Sequence, residues 1–426
     1  MKRTVALAPQ VRRAGLVVTT ISLAVICFET LLPEPGAAVG SHLCLLCGPL
    51  GGVNSFLNVL LFVPLGVGLA LAGFSSKRSV IGMCAFSALI ELAQLVVVPG
   101  RYSTIGDVIT NSLGGALGFA IGRYWFILLR PSPRIATGLV VGWSAVWLVI
   151  QTISAYGFSP TIPPSSYYGQ LAPSLGNFEQ FQGRVLRASI ADIVVPDGRF
   201  ADSRRVRDQL LGDAMVTTTI VPNAATPGVA PVVRIADDKE REILLLAQSA
   251  SQLVFGVRTG AAALRLRPPL FAMSDVFAPA SEGDSAVSAH TLTVSARYSA
   301  REVWMNTRSA PNRDRRIPIA ASLGWTMLLP SQWFITGTGI ELVVSAIWIV
   351  CLALPIGFWA RPIVHFRRTY AANVVRIIVV PIVLLLLYVG MVLVPGEFGL
   401  AVAPTRDWLA AVTGILAGSA VAGSRE

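Results

Sequence analysis

The sequence predicts a polytopic α-helical membrane protein of about eight spans, N-terminus in the cytoplasm, carrying an all-β sandwich domain on the extracytoplasmic side. Three observations predict it. Of 426 residues, 54% are apolar and 13% charged, whereas an ordinary soluble domain carries about 25% charged residues. The charge is unevenly spread: residues 156–330 hold 18 Lys/Arg and 15 Asp/Glu, and the other 251 residues hold only 16 and 8. The remaining chain breaks into apolar runs that match the roughly 20 residues needed to cross about 30 Å of hydrocarbon.

Those runs are 14–32, 56–74, 79–98, 104–122, 135–155, 334–359, 374–395 and 407–423. The fourth and eighth are Gly/Ala-rich and weaker than the rest. No small-residue cleavage site follows Cys27-Phe28-Glu29-Thr30, so the first run is expected to stay as an uncleaved helix. The runs divide the chain into a four-helix membrane domain (1–134), a fifth helix (135–155), a central domain (156–333) and a three-helix region (334–426).

Lys/Arg placement sets the expected orientation. With the N-terminus in the cytoplasm, 14 of the 16 basic residues outside the central domain fall on the cytoplasmic side; only Arg101 and Arg406 lie outside. The central domain is then extracytoplasmic, and long domains translocate regardless of their charge. The expected location is a bacterial inner membrane. The net charge of +11 sits in short clusters between apolar runs. Topology explains such clusters better than nucleic-acid binding does, and no nucleic-acid partner is expected.

Two packing signals lie inside the runs. Pro64 and Pro381 each remove a backbone donor and are expected to kink their helices. Gly114, Gly118 and Gly122 recur every four residues, and Gly414 and Gly418 repeat that spacing. Small residues at that period let helix backbones approach closely in lipid.

Residues 177–320 lack a long 3.6-residue apolar period. They show short β-prone runs instead: Arg184–Ile190, Met215–Val221, Val232–Ile235, Glu242–Gln248, Gln252–Thr259, Ala263–Arg267 and His290–Ser295. Turn residues punctuate them, as in an antiparallel sandwich. Ser249-Ala250-Ser251 divides two of the runs as a hairpin would. The order strand, acidic turn at Asp237-Asp238, hairpin, strand across Val232–Pro268 resembles the laminin-G or concanavalin-like jelly roll. That resemblance implies glycan or envelope-polymer binding by fold analogy alone. Asp237 and Asp238 fit a solvated turn better than a Ca²⁺ site.

The polar residues inside the runs are the most informative, because a charge within a bilayer costs about 2.5–3.5 kcal/mol even on lenient scales. Glu91 and Gln94 are three apart and share a helix face; Asp107 and Asn111 are four apart and share another. Arg101 lies in the short loop between the pairs, and Asn58 one turn into the second run. All six map to the extracytoplasmic half of the membrane under the expected topology. One reading is an outward-opening polar pocket, with Arg101 holding a carboxylate or phosphate and the two carboxylates set up for acid–base work. The other is helix glue, with Glu91 paired to Arg101 and the amides bonded across helices. Glu29 and Glu341 fit the membrane interface.

Asn58, Pro64 and Gly66, then Glu91 and Gln94, then Arg101, then Asp107, Asn111, Gly114 and Gly115, resemble in order and spacing the VanZ-like membrane family over about residues 50–123. The resemblance implies a four-helix topology for residues 14–123. It also implies cell-envelope biology, since the family is named for a protein linked to resistance to the glycopeptide teicoplanin. It supplies no reaction and no catalytic residue. The family often has an Asp just before the second helix; this chain has Asn54 there, which removes one carboxylate from the outer site.

Cys44 and Cys47 lie in the first outer loop, where a short-loop disulfide is the favoured expectation. Redox catalysis lacks its usual strand–helix context. A metal held with His42 lacks a fourth ligand, so no metal or cofactor is expected. No Ser-His-Asp or H-E-x-x-H arrangement occurs. The expected function is an envelope membrane protein that meets membrane lipids, binds a lipid-linked or amphiphilic ligand in the polar pocket, and binds a glycan or partner through the sandwich. The alternative is an intramembrane transferase or hydrolase that uses Glu91 and Asp107. The lack of an inverted repeat argues against a transporter.

Overall fold

The computed structural model describes residues 8–33, 43–101, 103–176, 178–277, 291–308, 312–364 and 381–424. Two compact units divide the chain, Met1–Ala136 and Thr137–Glu426. Among the described residues, six helices are long and apolar enough to cross a membrane, and a two-sheet β region accompanies them. The chain is thus a multi-pass membrane protein with a β domain.

The first unit holds α1 (Pro9–Leu31), α2 (Gly51–Leu71), α3 (Ser76–Val96) and α4 (Ile105–Leu129). The glycine stripe is the seam of α2 on α4. A Cβ on Gly114, Gly118 or Gly122 would run into the backbone of Val59, Val63 or Val67, and one on Gly66 would meet Gly115. Without a hydrophobic drive between helices in lipid, such close contact supplies the attraction. Ile26, Phe62, Leu65, Met83, Ile90 and Phe119 fill the space between the four helices. Pro64 lies inside α2. Asn54, expected just before the second helix, is in its first turn because α2 starts at Gly51.

The second unit starts within α5 (Pro133–Phe158) and continues into β1 (Tyr167–Leu171), β2 (Gly183–Ile190), β3 (Ile193–Val194) and β4 (Gly198–Arg199). Next come α6 (Ser203–Leu211), β5 (Val216–Pro222), β6 (Val229–Asp237), β7 (Glu242–Ser249), β8 (Gln252–Val257), the turn α7 (Gly260–Ala263) and β9 (Leu270–Met273). The sandwich closes with β10 (Leu292–Tyr298), β11 (Glu302–Thr307), β12 (Arg313–Pro318), a 3₁₀ segment (Ala321–Leu328) and β13 (Phe334–Ile335). One sheet has the order β13-β9-β8-β7-β6-β1-β4, the other β12-β11-β10-β5-β2-β3.

Several expected strands form within a residue or two, and the β7–β8 hairpin pairs Ser249 with Gln252 as its closing register. Three expectations fail. Ala263–Arg267 is not a strand: Arg265 takes φ +53, and Arg267 turns its guanidinium onto the carbonyls of Leu329 and Pro330, which pins the segment to the end of the 3₁₀ stretch. The β region starts before 177, since β1 lies between β6 and β4. Residues 334–335, expected to open the sixth span, pair with β9 instead.

The remaining helices are α8 (Gly339–Val364), α9 (Pro381–Glu397, with a π-helical stretch at Val389–Leu393) and α10 (Thr405–Gly423). Residues 374–380 of the seventh expected run lie outside the described residues, so Pro381 opens the described helix. Gly414 and Gly418 seat α10 on the backbone of Val350 and Leu354 in α8, as the spacing predicts. The β domain is bolted to α5: Tyr298 Oη donates to Phe158 O (2.6 Å), and the Gly260 amide donates to Ser159 O (2.9 Å). Burial raises the Tyr298 pKa, which keeps that hydroxyl a donor. The 3₁₀ segment is buried almost throughout, with the Trp325 indole N–H on Ser345 Oγ of α8 (3.1 Å) and Gly324 against Ser154 of α5.

Candidate functional site

The candidate site forms where α4 begins. Thr104 is its N-cap: its hydroxyl oxygen accepts from the Asp107 amide (3.0 Å) and its O–H donates to Asp107 Oδ2 (2.8 Å). The first turn of a helix has backbone donors without partners, and nothing in a bilayer core replaces them. Glu91 of α3 meets that need, its Oε2 accepting from the Thr104 amide at 2.9 Å. The Ser103 hydroxyl is a further donor to Glu91. Asn58 of α2 completes the chain, its Nδ2 donating to Asp107 Oδ1 at 2.7 Å. Three helices therefore meet through Asn58, Asp107, Thr104 and Glu91, and the two carboxylates are bridged by one threonine.

The other predicted site residues join this end of the unit differently. Gln94 Nε2 donates to Thr30 O at the end of α1 (2.8 Å). Arg101 donates from Nε to Leu32 O (3.0 Å) and from Nη2 to Glu29 O (2.8 Å). A cation on the last carbonyls of a helix is favoured by the helix dipole. Asn111, one turn deeper, donates to Ser87 Oγ of α3 (3.0 Å), and its own Oδ1 is buried without a partner. Glu91, Gln94, Thr104 and Asn111 are buried, whereas Asn58, Arg101 and Asp107 are half-buried. The accessible part of the cluster is therefore an acid, an amide and a guanidinium.

Cys44 and Cys47 stand as a disulfide, with Cα atoms 5.6 Å apart. Their loop lies on the first turn of α4: the Gly106 amide donates to Cys44 O (3.2 Å), and a Cβ at Gly106 would meet Leu45. His42 lies outside the described residues.

Sequence reasoning missed Thr104, Ser103 and Ser87. The signal for the first was present, because Thr104-x-x-Asp107 ahead of an apolar run has the form of a capping box. The same holds for Thr338-x-x-Glu341 at the start of α8. Glu341, expected only near an interface, is buried and accepts from the amides of Thr336, Gly337 and Thr338, the Thr336 hydroxyl and the Trp333 indole.

A second polar cluster, in the other unit, was not foreseen. Gln151 of α5, Ser322 of the 3₁₀ segment and Asp407 of α10 line a cavity of about 10 Å³, with Gly390 and Met391 of the π-helical stretch on its wall. That is room for one water. Asp407 Oδ1 takes a hydrogen bond from Arg406 Nε (3.2 Å), and the buried Ser322 Oγ has no partner.

Neither a curated protein nor a solved structure gives a match to the chain. Residues 12–128 match the family model described as VanZ/LLP1, a segment that holds most of α1, α2 and α3 whole, nearly all of α4 and every side chain of the Asn58–Asp107–Thr104–Glu91 chain.

Proposed function

We propose that this chain is a bacterial inner-membrane protein of the cell envelope that binds the polar end of a lipid-linked or amphiphilic envelope ligand at the start of α4. The observation that carries the reading is the bridged pair of carboxylates, with Asp107, Asn58 and Arg101 left half-buried beside the buried Glu91. Intramembrane ionisable groups mark ligand or substrate sites by default, since their cost in hydrocarbon is otherwise unrewarded. The VanZ/LLP1 match over the same residues supports an envelope role and a link to glycopeptide susceptibility. Eight spans are proposed, with residues 156–333 extracytoplasmic, on the Lys/Arg asymmetry. The two-sheet antiparallel core fits a laminin-G or concanavalin-like sandwich that binds a glycan. Mass spectrometry of the lipid retained by the purified chain tests the first claim. A lipid-linked or amphiphilic envelope molecule should co-purify and be lost from Asp107→Asn; bulk phospholipid alone, equal in both proteins, refutes it. Labelling of single cysteines within 156–333 from the outside tests the topology.

The closeness of the two carboxylates on one threonine also favours a second reading, an intramembrane transferase or hydrolase in which Glu91 or Asp107 is the base. Glu91→Gln keeps the acceptor for the Thr104 amide, whereas Glu91→Ala does not. A structural carboxylate tolerates Gln better than Ala, and a proton acceptor fails equally with both.

A further inference from the structure

We infer that the end of the β domain seated on the helices is a collar for the phosphates of anionic phospholipid, in the leaflet which that domain faces. The level is set by α5. Its 26 residues run about 39 Å at about 1.5 Å each, longer than the roughly 30 Å of hydrocarbon, so its C-terminal end reaches the headgroup layer. Both sheets are fastened there. Tyr298 at the end of β10 donates to Phe158 O, and the Gly260 amide, after β8, donates to Ser159 O. The Thr161 amide donates to Arg258 O, and the Ile319 amide, leading into the 3₁₀ segment, donates to Arg301 O.

The segments that meet at this level are 158–163, 258–268, 299–301 and 319–330. They hold four cations, Arg258, Arg265, Arg267 and Arg301, and no Asp or Glu. All 15 acids of residues 156–330 lie elsewhere in the domain, so the charge excess is local to the seam. Two of the four cations are engaged. Arg267 binds the carbonyls of Leu329 and Pro330, and Arg258 is half-buried in the field of Asp237 and Glu242. Arg265 and Arg301 are exposed, and among the described residues neither meets a carboxylate. Glu302, next to Arg301, is shared by Arg297 (3.7 Å) and Arg316 (3.9 Å). Arg265 follows β8 and Arg301 lies between β10 and β11, so each sheet supplies one free cation.

Guanidiniums at that depth meet lipid phosphate, which they bind through paired hydrogen bonds. A choline headgroup brings its own cation and leaves the arginine charge uncompensated. An anionic headgroup cancels it, so cations with no acid beside them select anionic lipid. Each arginine near a charged bilayer surface adds roughly fivefold to that attraction. A soluble polyanion would first have to displace the headgroups already at this level.

The full-length chain in detergent tests this when titrated with phosphatidylglycerol or phosphatidylcholine of equal chain length and read by native mass spectrometry. Phosphatidylglycerol should bind several-fold more tightly. Arg265→Gln and Arg301→Gln should each weaken its binding by about fivefold and leave phosphatidylcholine binding in place. Arg184→Gln removes the same charge at the opposite end of the sandwich, about 20 Å along the strands from Tyr298, and should change neither. Arg265→Lys with Arg301→Lys keeps both charges and should keep the preference. Equal binding of the two lipids overturns the collar. So does a phosphatidylglycerol preference that survives the double Gln variant, since it then belongs to cations elsewhere in the chain. A loss from Arg184→Gln as large as from Arg265→Gln overturns it as diffuse charge, and a loss from the Lys pair equal to the Gln pair overturns it as disturbed packing.

Discussion

Asn58, Thr104 and Asp107 in the first unit, and Gln151, Ser322 and Asp407 in the second, are the same three kinds of side chain: an amide, a hydroxyl and a carboxylate. In the first unit the amide and the hydroxyl both donate to the carboxylate, at 2.7 and 2.8 Å. In the second they surround a cavity, and Ser322 Oγ has no partner. The first group sits at the end of a helix, whose backbone donors require acceptors. The second sits beside a π-helical stretch, under a 3₁₀ segment contributed by the β domain, where backbone geometry is irregular. A polar group within a membrane protein is therefore to be judged by what satisfies it, and its type alone does not separate a cap from a receptive site.

What the two units share is the way their helices close up, and breaking it should give the largest effect. Gly118→Leu in α4 and Gly418→Leu in α10 would each drive a side chain into the facing helix, at Val63 and Leu354. Overpacking of this kind costs about 3 kcal/mol, and here the obstacle is backbone that cannot rotate aside. Both variants should lose several degrees of thermal midpoint in detergent. Gly138→Leu, where a Cβ meets open space, should leave the midpoint in place. A tolerant Gly118→Leu would mean that α2 and α4 are not held by this seam.

The next effect separates the two clusters. Thr104→Ala removes the bridge between Glu91 and Asp107 while keeping the backbone amide on Glu91. Asp107→Asn alters the same link from its other end. Groups in one hydrogen-bonded network couple by roughly 1–2 kcal/mol in a double-mutant cycle. That coupling should appear in the unfolding free energies of Thr104→Ala, Asp107→Asn and the double variant. The corresponding cycle for Ser322→Ala and Asp407→Asn should show less, because no direct bond joins those two residues and they meet only across the cavity. Additivity in the first cycle would mean that the threonine bridge carries no energy.

The first cluster was legible because its members lie within 54 positions and repeat at helical spacing, so Glu91 with Gln94 and Asp107 with Asn111 announce two polar faces. Their backbone partners were not: no spacing points Arg101 or Gln94 to the carbonyls of Glu29, Thr30 and Leu32 at the C-terminal end of α1. The second cluster joins positions 151, 322 and 407, and no local period connects a mid-helix glutamine to a serine in a 3₁₀ turn. Strands alternating with turns could be found in sequence. Short β3, β4 and β13 could not, since two residues carry no period and gain their pairing from neighbours.

A smaller effect belongs to a third polar site, outside the membrane. Asp237 closes the β6–β7 turn and accepts from the amides of Lys239 and Arg241 and from the Arg241 guanidinium. Burial pushes its pKa up, but those bonds outweigh burial and hold it below the ordinary carboxylate value. A depressed folded pKa adds stability that is complete above the unfolded value of about 4 and is lost as pH falls through the folded one. The wild-type melting midpoint should therefore fall on acidification below about pH 4. The Asp237→Asn protein should start lower and show a flatter dependence there. Parallel curves would mean that the turn does not use the charge.

Ser322→Ala should have the smallest effect, and its sign is what matters. If the cavity beside Asp407 is dry, the serine hydroxyl is buried without a partner, and removing it relieves a desolvation cost of about 1 kcal/mol. If a water occupies the cavity, the hydroxyl is one of its partners with Asp407 and Gln151, and Ala removes a bond of similar worth. The cavity is polar on three sides and about one water in size, so the wet state is expected and Ser322→Ala should destabilise by up to about 1 kcal/mol. Thermal unfolding of Ser322→Ala beside Ser322→Val checks this. Val fills the space and drives out any water, so it should cost more than Ala if the site is wet. In a dry site Val packs as well as Ala does. A stabilised Ser322→Ala would make the cavity a packing flaw, and the two polar clusters would then differ in quality of fit, with no difference in openness to a guest.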